Sequence, residues 1–385
     1  MGAQGFIAGK IRFKGRLSAV AVAVSFLVII IAVSVAAGFR REIRAGVSSL
    51  SGDILMTRPE ADFFGEDKPF ADTLSYMEEL LDIPGVSGIT PVIFRAGIAR
   101  SGGNIQGIML KGVPGCDSTL HATVPRRLAD ALDLGTGDKF LTYFIGEKVK
   151  ARQFTVARIE DSVLDAEGTI MVKVPLEDLQ RLNGWQEHEV SALQIMMDED
   201  ARERDDVRMA AFNASVISAD RAREDEAILK AVAGADRYGQ LFDWLDLIDT
   251  NVTAILVLMI IVAGFNMVSG LLILLLRNVG TIGMLKAIGM SDKGIAGVFL
   301  RVAARLACLG MLAGNALALL LCAVQDKTHL ITLNPENYFV SFVPVSVNLP
   351  HILLADAIAL AAILLIMLIP STFISKVDPA ETAGR

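Results

Sequence analysis

Leu17–Phe39, LSAVAVAVSFLVIIIAVSVAAGF, is a run of 23 residues without a charged side chain, and three comparable runs follow it. They are Thr250–Leu276 with 27 residues, Leu306–Gln325 with 20 and Ala357–Ser375 with 19. A helix rises about 1.5 Å per residue, so about 20 residues cross a hydrocarbon core about 30 Å thick. The sequence therefore predicts four transmembrane helices.

The long polar interval between the first and second runs predicts a water-soluble domain inserted between two spans. We expect an α+β membrane protein in which four transmembrane helices carry one large mixed α/β domain between helices 1 and 2. The expected segments are a cytoplasmic N-terminal segment (1–16), helix 1 (17–39), an external domain with helical stalks at both ends (40–249), helix 2 (250–276), a cytoplasmic loop (277–296), helix 3 (297–325), a short external loop (326–350), helix 4 (351–375) and a cytoplasmic tail (376–385).

Charge is segregated between the two parts of the chain. Residues 40–249 hold 24 Lys/Arg and 37 Asp/Glu, whereas the remainder holds 12 and 6, which gives the chain its net charge of −7. An acidic external domain does not favour nucleic acid, whose phosphates need a basic surface. Basic residues close to spans stay preferentially in the cytoplasm. Those that set the predicted orientation are Lys10, Arg12, Lys14, Arg16, Arg277, Lys286 and Lys293.

Two alternatives to this layout concern the first span and the cysteines. Ser34-Val35-Ala36 resembles a signal-peptide cleavage site, but the apolar run is longer than the about 7 to 15 residues of a signal core, which favours a span. Cys308 and Cys322 lie in the third span and Cys116 lies outside. Neither a disulfide framework nor a cysteine-based metal site is expected from this distribution.

The external domain shows strand and helix patterns in mixed order. The apolar runs 89–100 and 105–113 flank the sequence SGGN, which suits a tight turn, so they predict a β-hairpin. The other expected strands are 52–58, 139–145, 149–159, 169–174, 190–197 and 215–218, and the expected helices are 117–132, 175–182 and 222–248. The last helix would lead into span 2 as a stalk, and residues 40–51 would extend span 1 in the same way.

The loop between the second and third spans carries apolar residues at roughly helical spacing, Ile282, Met284, Leu285 and Ile288. A helix here is too short to cross the membrane. Two interpretations stay open from the pattern alone: an interfacial helix on lipid headgroups or a docking helix for a soluble partner.

Motifs typical of enzymes are absent from the sequence, including the P-loop, G-x-G-x-x-G, H-E-x-x-H and G-x-S-x-G. The chain is therefore not expected to be an enzyme. In the spans, Asn266 and Asn315 are expected to hydrogen-bond between helices, and Asp356 is expected at headgroup level. Gly310 and Gly314 form a G-x-x-x-G that would let two helices approach closely. So few ionisable groups argue against an ion-coupled transporter.

Six short stretches carry a family resemblance: Ala37–Ile43 (AGFRREI), Arg181–Trp185 (RLNGW) with Glu189 and Val190, Ala263–Ser269 (AGFNMVS), Ile282–Met290 (IGMLKAIGM), Ile369–Ser371 (IPS) and Asp378–Glu381 (DPAE). Together with the order of the spans, they resemble the FtsX/MacB-type permeases of ABC transporters. Within that superfamily the chain looks most like lipoprotein-releasing permeases of the LolC/LolE type.

The resemblance implies a multi-pass permease of the bacterial inner membrane, with both termini cytoplasmic and a MacB-like periplasmic domain. Such a permease pairs with a second one, identical or homologous, and with two copies of a cytoplasmic ABC ATPase. ATP and Mg would be bound by that ATPase, and no cofactor is expected in this chain. The residues that match the family's ATPase-docking coupling helix are Ile282, Gly283, Met284, Leu285, Lys286, Ala287, Ile288, Gly289 and Met290.

By the same resemblance, the substrate would be a lipoprotein whose acyl chains enter from the phospholipid membrane between the first and second spans. The residues expected along that path are Phe26, Ile30, Met259, Phe265 and Asn266. A periplasmic lipoprotein carrier would receive the lipoprotein. The alternatives are a MacB-like mechanotransmission efflux permease, an FtsX-like regulator of cell-wall hydrolases and, from another class, a membrane sensor with a periplasmic ligand domain.

Overall fold

The computed structural model describes residues 16–61, 68–115, 118–146, 149–160, 170–203, 206–334 and 338–371. Two compact units divide the chain. The membrane unit comprises Met1–Arg41, Trp244–Thr332 and Phe342–Arg385, and the sheet unit comprises Glu42–Asp243 and Leu333–Ser341. The expected N-terminal segment (except Arg16), the tail and Cys116 lie outside the described residues.

The described helices and strands follow the chain in mixed order. They are α1 (Arg16–Ser51), β1 (Ile54–Thr57), β2 (Phe70–Ala71), α2 (Met77–Leu81), β3 (Val86–Ser101), β4 (Asn104–Val113), β5 (His121–Pro125), α3 (Arg126–Leu132), β6 (Lys139–Phe144), β7 (Lys150–Glu160), β8 (Met171–Pro175), α4 (Leu176–Asn183), β9 (Glu189–Val190), β10 (Ala192–Met197), α5 (Glu199–Glu203), α6 (Val207–Arg221), β11 (Lys230–Ala233), α7 (Gly234–Arg237), α8 (Gly239–Arg277), α9 (Val279–Ala287), α10 (Asp292–Thr328), α11 (Leu349–Ile366) and α12 (Leu368–Ser371).

Four helices of the described chain are long and apolar enough to cross a membrane: Leu17–Ser51, Gly239–Arg277, Asp292–Thr328 and Leu349–Pro370. They contain the four runs that the sequence singled out, apart from the last residues of the fourth. Between the first and second of them lies the mixed α/β sheet unit. The expected fold class is therefore confirmed.

Small residues allow the helices of the membrane unit to approach closely. Gly310 and Gly314 on α10 lie against α1: a Cβ at Gly310 would be 2.8 Å from the carbonyl oxygen of Ala19, and a Cβ at Gly314 would overlap the carbonyl oxygen of Ala23. This confirms the close approach expected from the G-x-x-x-G, because backbone packing of this kind tolerates no side chain.

The helices α1 and α8 contact each other near both ends of the spans. At one end, Gly270 of α8 lies against Ser18 of α1. Near the other end, the rings of Phe39 and Trp244 meet edge to face with centroids 5.7 Å apart. Arg40, the next residue of α1, forms an ion pair with Asp249 of α8.

The sheet unit is built on nine strands in the order β11-β1-β10-β3-β4-β8-β5-β7-β6, and β3 also pairs with β6. The six strands from β3 to β6 therefore close on themselves, and closure removes exposed sheet edges. The 16-residue strand β3 connects the two regions, since its first half pairs with β10 and its second half with β4 and β6. A two-stranded sheet, β2-β9, completes the described pairings.

The predicted hairpin is confirmed, because β3 and β4 pair up to Ser101 opposite Asn104 with Gly102 at φ +55° in the turn. Three other expectations are wrong. Residues 121–125 of the expected helix 117–132 form β5, which pairs with β7. The expected strand 215–218 lies within α6. The expected helix 222–248 is interrupted by β11, the final strand of the sheet.

Burial explains the error at α6. Ala210, Ala211, Ala214 and Ser218 are buried at helical spacing. The hydroxyl of Ser218 also accepts a hydrogen bond from the backbone N–H of Leu229 at 2.8 Å. Packing of small residues against the sheet thus outweighs the weak local preference of Val216 and Ile217 for a strand.

We predict that Gly314→Ala destabilises the purified chain by about 1 to 3 kcal/mol, because the new Cβ meets backbone of α1 that cannot move aside. Gly280→Ala on α9 is the matched control, since nothing lies within 4 Å of a Cβ at that position. There the better helix propensity of Ala should leave stability unchanged or raised. Thermal unfolding in detergent, followed by a thiol-reactive dye that reports exposure of buried Cys322, measures both. Equal melting temperatures for the two variants would contradict close packing at Gly314.

Candidate functional site

The loop between the second and third spans folds as a short helix with defined ends. Its start follows a turn in which the Asn278 amide donates to the carbonyl oxygen of Leu274 at 2.8 Å, ending α8. Its end is a Schellman motif: Gly289 adopts φ +89°, its N–H donates to Lys286, and the Met290 N–H donates to Leu285 at 3.0 Å. Hydrogen bonds therefore define both ends of the short helix in this loop.

A second cap follows at once and begins α10. The hydroxyl of Ser291 accepts from the backbone N–H of Gly294 at 3.3 Å, as expected for a serine at an N-cap. The ammonium of Lys286 also lies 3.0 Å from the carboxylate of Asp292. The end of α9 and the start of α10 are thus tied together.

The apolar residues of α9 divide between two faces. Ile282 and Leu285 are buried in the core of the membrane unit, in the cluster that includes Phe299 of α10. Met284 and Ile288 are 68% and 74% exposed. The sequence pattern grouped Ile282, Met284, Leu285 and Ile288 in one apolar stripe. In the structure, only Met284 and Ile288 are exposed and can contact lipid or another protein.

The remaining residues of the expected coupling helix follow the same division. Gly283 is buried, Lys286 and Met290 are half-buried, and Ala287 and Gly289 are exposed. We call the exposed set Met284, Ala287 and Ile288 the outer face of α9. The inner face of α9 is apolar and buried, and its outer face exposes two further large apolar side chains. A covering surface is therefore implied, either lipid headgroups or a partner.

A second feature of interest is the end of α1, which is one continuous helix ending inside the sheet unit. The last carbonyl groups of a helix lack partners within it. Here Ser48 accepts from Gly52 N–H at 2.8 Å, Ser49 accepts from the Lys111 ammonium at 3.0 Å, and Leu50 accepts from the Gln194 amide at 2.9 Å. The first span's helix is therefore fastened to strands β4 and β10.

Asp53, directly after α1, reinforces this junction. Its carboxylate accepts from the Met197 N–H at 2.7 Å and from Arg202 Nε at 2.8 Å. Its backbone carbonyl accepts from the Gly234 N–H at 2.8 Å, at the end of β11. Since β1 and β11 are neighbours and α8 begins at Gly239, the chain enters and leaves the sheet unit at adjacent strands.

Lys111 has an unusual environment for a lysine. It is only 3% exposed, and burial lowers the pKa of its ammonium to about 7, with a smaller contribution from Lys173, which pairs with it across β4 and β8. Lys173 is itself held by Glu160 at 3.2 Å. The sequence interpretation missed Lys111 and Gln194. The sequence signal for Lys111 was a single lysine within the apolar segment IMLKGV.

Two polar side chains of the third and fourth spans contact each other. The Asn315 amide on α10 donates to the carboxyl of Asp356 on α11, which agrees with the expected interhelical role of Asn315. Asp356 was expected at headgroup level. Its depth in a membrane stays a prediction, and its partner Asn315 lies in the middle of the uncharged run Leu306–Gln325.

The residues expected along the acyl path do not share one surface in a single chain. Phe26 and Ile30 are completely buried in the core of the membrane unit. Phe265 is exposed, and Met259 and Asn266 are half-buried on the same helix, α8. Only the α8 residues are therefore accessible without a movement of α1.

Comparison with known families identifies the C-terminal part. Residues 253–379 match the family described as FtsX-like permease C-terminal. This segment includes α9 and most of the second, third and fourth spans. The C-terminal third of the chain is thus similar to FtsX-like permeases.

Two relatives align with nearly the whole chain. The chain is 22% identical to the lipoprotein-releasing system transmembrane protein LolE of Haemophilus influenzae, over 95% of this chain and 93% of the relative. It is also 22% identical to the lipoprotein-releasing system transmembrane protein LolC of Neisseria meningitidis serogroup B, over 97% and 94%.

Two solved structures cover about half of the chain. They are the extracellular domain of the noncanonic ABC-type transporter YknZ from Gram-positive bacteria (13% identity, 46% of this chain, 98% of that one, TM-score 0.30) and the periplasmic region of MacB from Actinobacillus actinomycetemcomitans (10%, 53%, 97%, 0.32).

We predict that the stability of the chain rises between about pH 7 and about pH 10 through Lys111. Its folded pKa of about 7 lies below the unfolded value of about 10.4, so the unfolded state binds more protons across this window and stability increases with pH. Below about pH 7 this contribution levels off. Lys111→Met should flatten the dependence of melting temperature on pH, and Lys139→Met, at an exposed position, should leave it unchanged. An identical slope in Lys111→Met and the parent would disprove the assignment.

Proposed function

We propose that this chain, which carries an FtsX-like permease domain, is the membrane subunit of an ABC transporter that extracts lipoproteins from the inner membrane. A separate cytoplasmic ATPase would drive it, and a periplasmic carrier would receive the lipoprotein. Similarity to LolE and LolC over nearly the whole chain supports the substrate class. The observation that carries the proposal is the outer face of α9, a rigidly held apolar surface without a partner of its own in the described chain.

The outer face of α9 suits insertion into a groove of a soluble protein. Met284 and Ile288 lie one helical turn apart, the spacing by which an amphipathic helix anchors in an apolar groove. The Schellman motif and the Ser291 cap hold the helix in shape before any partner binds, which reduces the entropy lost on binding. Two copies of an ATPase, which bind ATP and Mg themselves, would each dock on one permease of a pair, identical or homologous.

Movement of α9 would pass to α1 through contacts within the membrane unit. Ile282 and Leu285 pack in the core against α10, and α10 packs on α1 at Gly310 and Gly314. The helix α1 then continues unbroken to its capped end at Ser49. A displacement of the loop would thus reach α1. This arrangement is what a transporter needs when its ATPase and its cargo are on opposite sides of the membrane.

The substrate path would begin on the exposed face of α8. Phe265 is exposed and Met259 and Asn266 are half-buried on this helix, whereas Phe26 and Ile30 of α1 are buried in the core of the membrane unit and would need a movement of the helices to reach an acyl chain. A separation of α1 from α8 would break the ring contact of Phe39 with Trp244, the ion pair of Arg40 with Asp249 and the contact of Ser18 with Gly270. We therefore place lipoprotein entry between these two helices.

Docking is tested by Met284→Asp and Ile288→Asp, which place a carboxylate in an apolar groove and should abolish co-purification of the ATPase, since an unpaired charge buried there costs several kcal/mol. Lys293→Asp, at an exposed position in the first turn of α10, also introduces a carboxylate and should keep the complex intact. Leu285→Asp and Gly289→Asp are poor tests, because the first residue is buried and the second has φ +89°. Unchanged complex yield with Met284→Asp would argue for an interfacial helix instead.

The substrate is tested by depleting the chain and fractionating the membranes. Lipoproteins destined for the outer membrane should then accumulate in the inner membrane, and the Lys293→Asp protein should restore release while Met284→Asp should not. Normal release after depletion would refute the lipoprotein assignment without affecting ATPase docking. A MacB-like efflux permease or an FtsX-like regulator of wall hydrolases would then be the better description.

A further inference from the structure

A carboxyl group lies inside the membrane unit, in surroundings that do not suit an ionised carboxylate. Asp356 on α11 is 7% exposed. Its partner among the described residues is Asn315 on α10, whose amide Nδ2 donates to Asp356 Oδ2. This contact joins the third and fourth spans across 41 positions of sequence.

The depth of the pair follows from the position of Asn315. The nearest charged residues on α10 are Arg305 and Asp326, ten positions before and eleven positions after it. At about 1.5 Å per residue, Asn315 is about 15 Å from either charge, near the centre of a hydrocarbon core about 30 Å thick. Asp356, in contact with it, lies at the same depth.

The hydrogen bonds of this pair leave two acceptor oxygens unsatisfied among the described residues. Asp356 Oδ1 and Asn315 Oδ1 are both buried, and neither has a hydrogen-bond partner among the described residues. An ionised aspartate can only accept hydrogen bonds, and the oxygen of an asparagine amide is also an acceptor. Two buried acceptors without a donor would each cost about 1 to 3 kcal/mol, and a charge there would cost more.

We propose that Asp356 carries a proton on Oδ1 and donates it to Asn315 Oδ1, so that the two side chains form a reciprocal acid–amide pair. One proton thereby supplies the donor that both orphan oxygens lack. The terminal torsions of Asp and Asn are broad, so the two planar groups can align without rotamer strain. The site is a proton-binding site between spans 3 and 4, and it holds these helices together as one body.

The Asp356–Asn315 pair does not depend on which cargo the protein moves. A neutral pair does not move charge through the membrane, so Asp356 acts as an interhelical link rather than as an ion-coupling residue. The proposal therefore stands whether the permease releases lipoproteins or transmits force to another partner. An ionised Asp356, neutralised by a lipid headgroup or a second chain, is the opposing model.

Four variants of the purified full chain in lipid nanodiscs separate the models. Asp356→Asn keeps a donor for Asn315 Oδ1 and should retain the parent melting temperature. Asp356→Leu and Asn315→Leu each leave one buried polar group alone and should lower it. The double variant with leucine at both positions should recover most of the loss, because removing both partners of a buried pair is nearly neutral. Equal losses for Asp356→Asn and Asp356→Leu would overturn the proposal.

Infrared spectroscopy at neutral pH gives a readout that a purely structural role would not change. The difference spectrum of the parent minus Asp356→Asn should contain the carbonyl stretching band of a protonated carboxylic acid, shifted in Asn315→Leu through loss of its acceptor. A carboxylate band in place of that band would show that Asp356 is ionised and would refute the pair.

Discussion

The buried end of α1 is the constraint on which the rest of the architecture depends. A helix that leaves the membrane and ends inside a protein brings unpaired carbonyl groups with it, and these must find donors where water is excluded. Gly52, directly after the helix, Lys111 of β4 and Gln194 of β10 provide them. The order of the sheet follows from this point, since β1 starts directly after the helix and lies between β10 and β11. Because β11 leads into α8, both connections to the spans meet at neighbouring strands.

In the membrane unit, polar side chains are paired between helices rather than between a helix and strands. Hydrophobic burial does not distinguish helix from lipid there, so close backbone approach and polar pairs provide the specificity. Gly310 and Gly314 bring α10 onto α1, and Asn315 joins α10 to Asp356 of α11. The helix α10 is therefore the element on which the others converge, and it is also the helix against which α9 packs.

Much of this organisation could be predicted from the sequence, and the failures have a common cause. The β3–β4 hairpin, the extension of the first span to Ser51 and the helix in the loop were all predicted, because their signals lie within a few neighbouring residues. The wrong predictions at 117–132, 215–218 and 222–248 concern segments whose secondary structure depends on strands that are distant in the sequence. At the candidate site, the sequence identified α9 but not its outer face, since the partners of Ile282 and Leu285 lie on another helix.

By itself, the sequence determined the number and place of the spans and the insertion of one large domain between the first two. The reason is that crossing a hydrocarbon core requires only a sufficient length of uncharged chain, which is a one-dimensional property. Only the tertiary structure decided which side of α9 is free, that Lys111 caps the end of α1, and that Asp356 of the fourth span pairs with Asn315 of the third. Each of these depends on contacts between residues far apart in the chain, and no local pattern encodes such contacts.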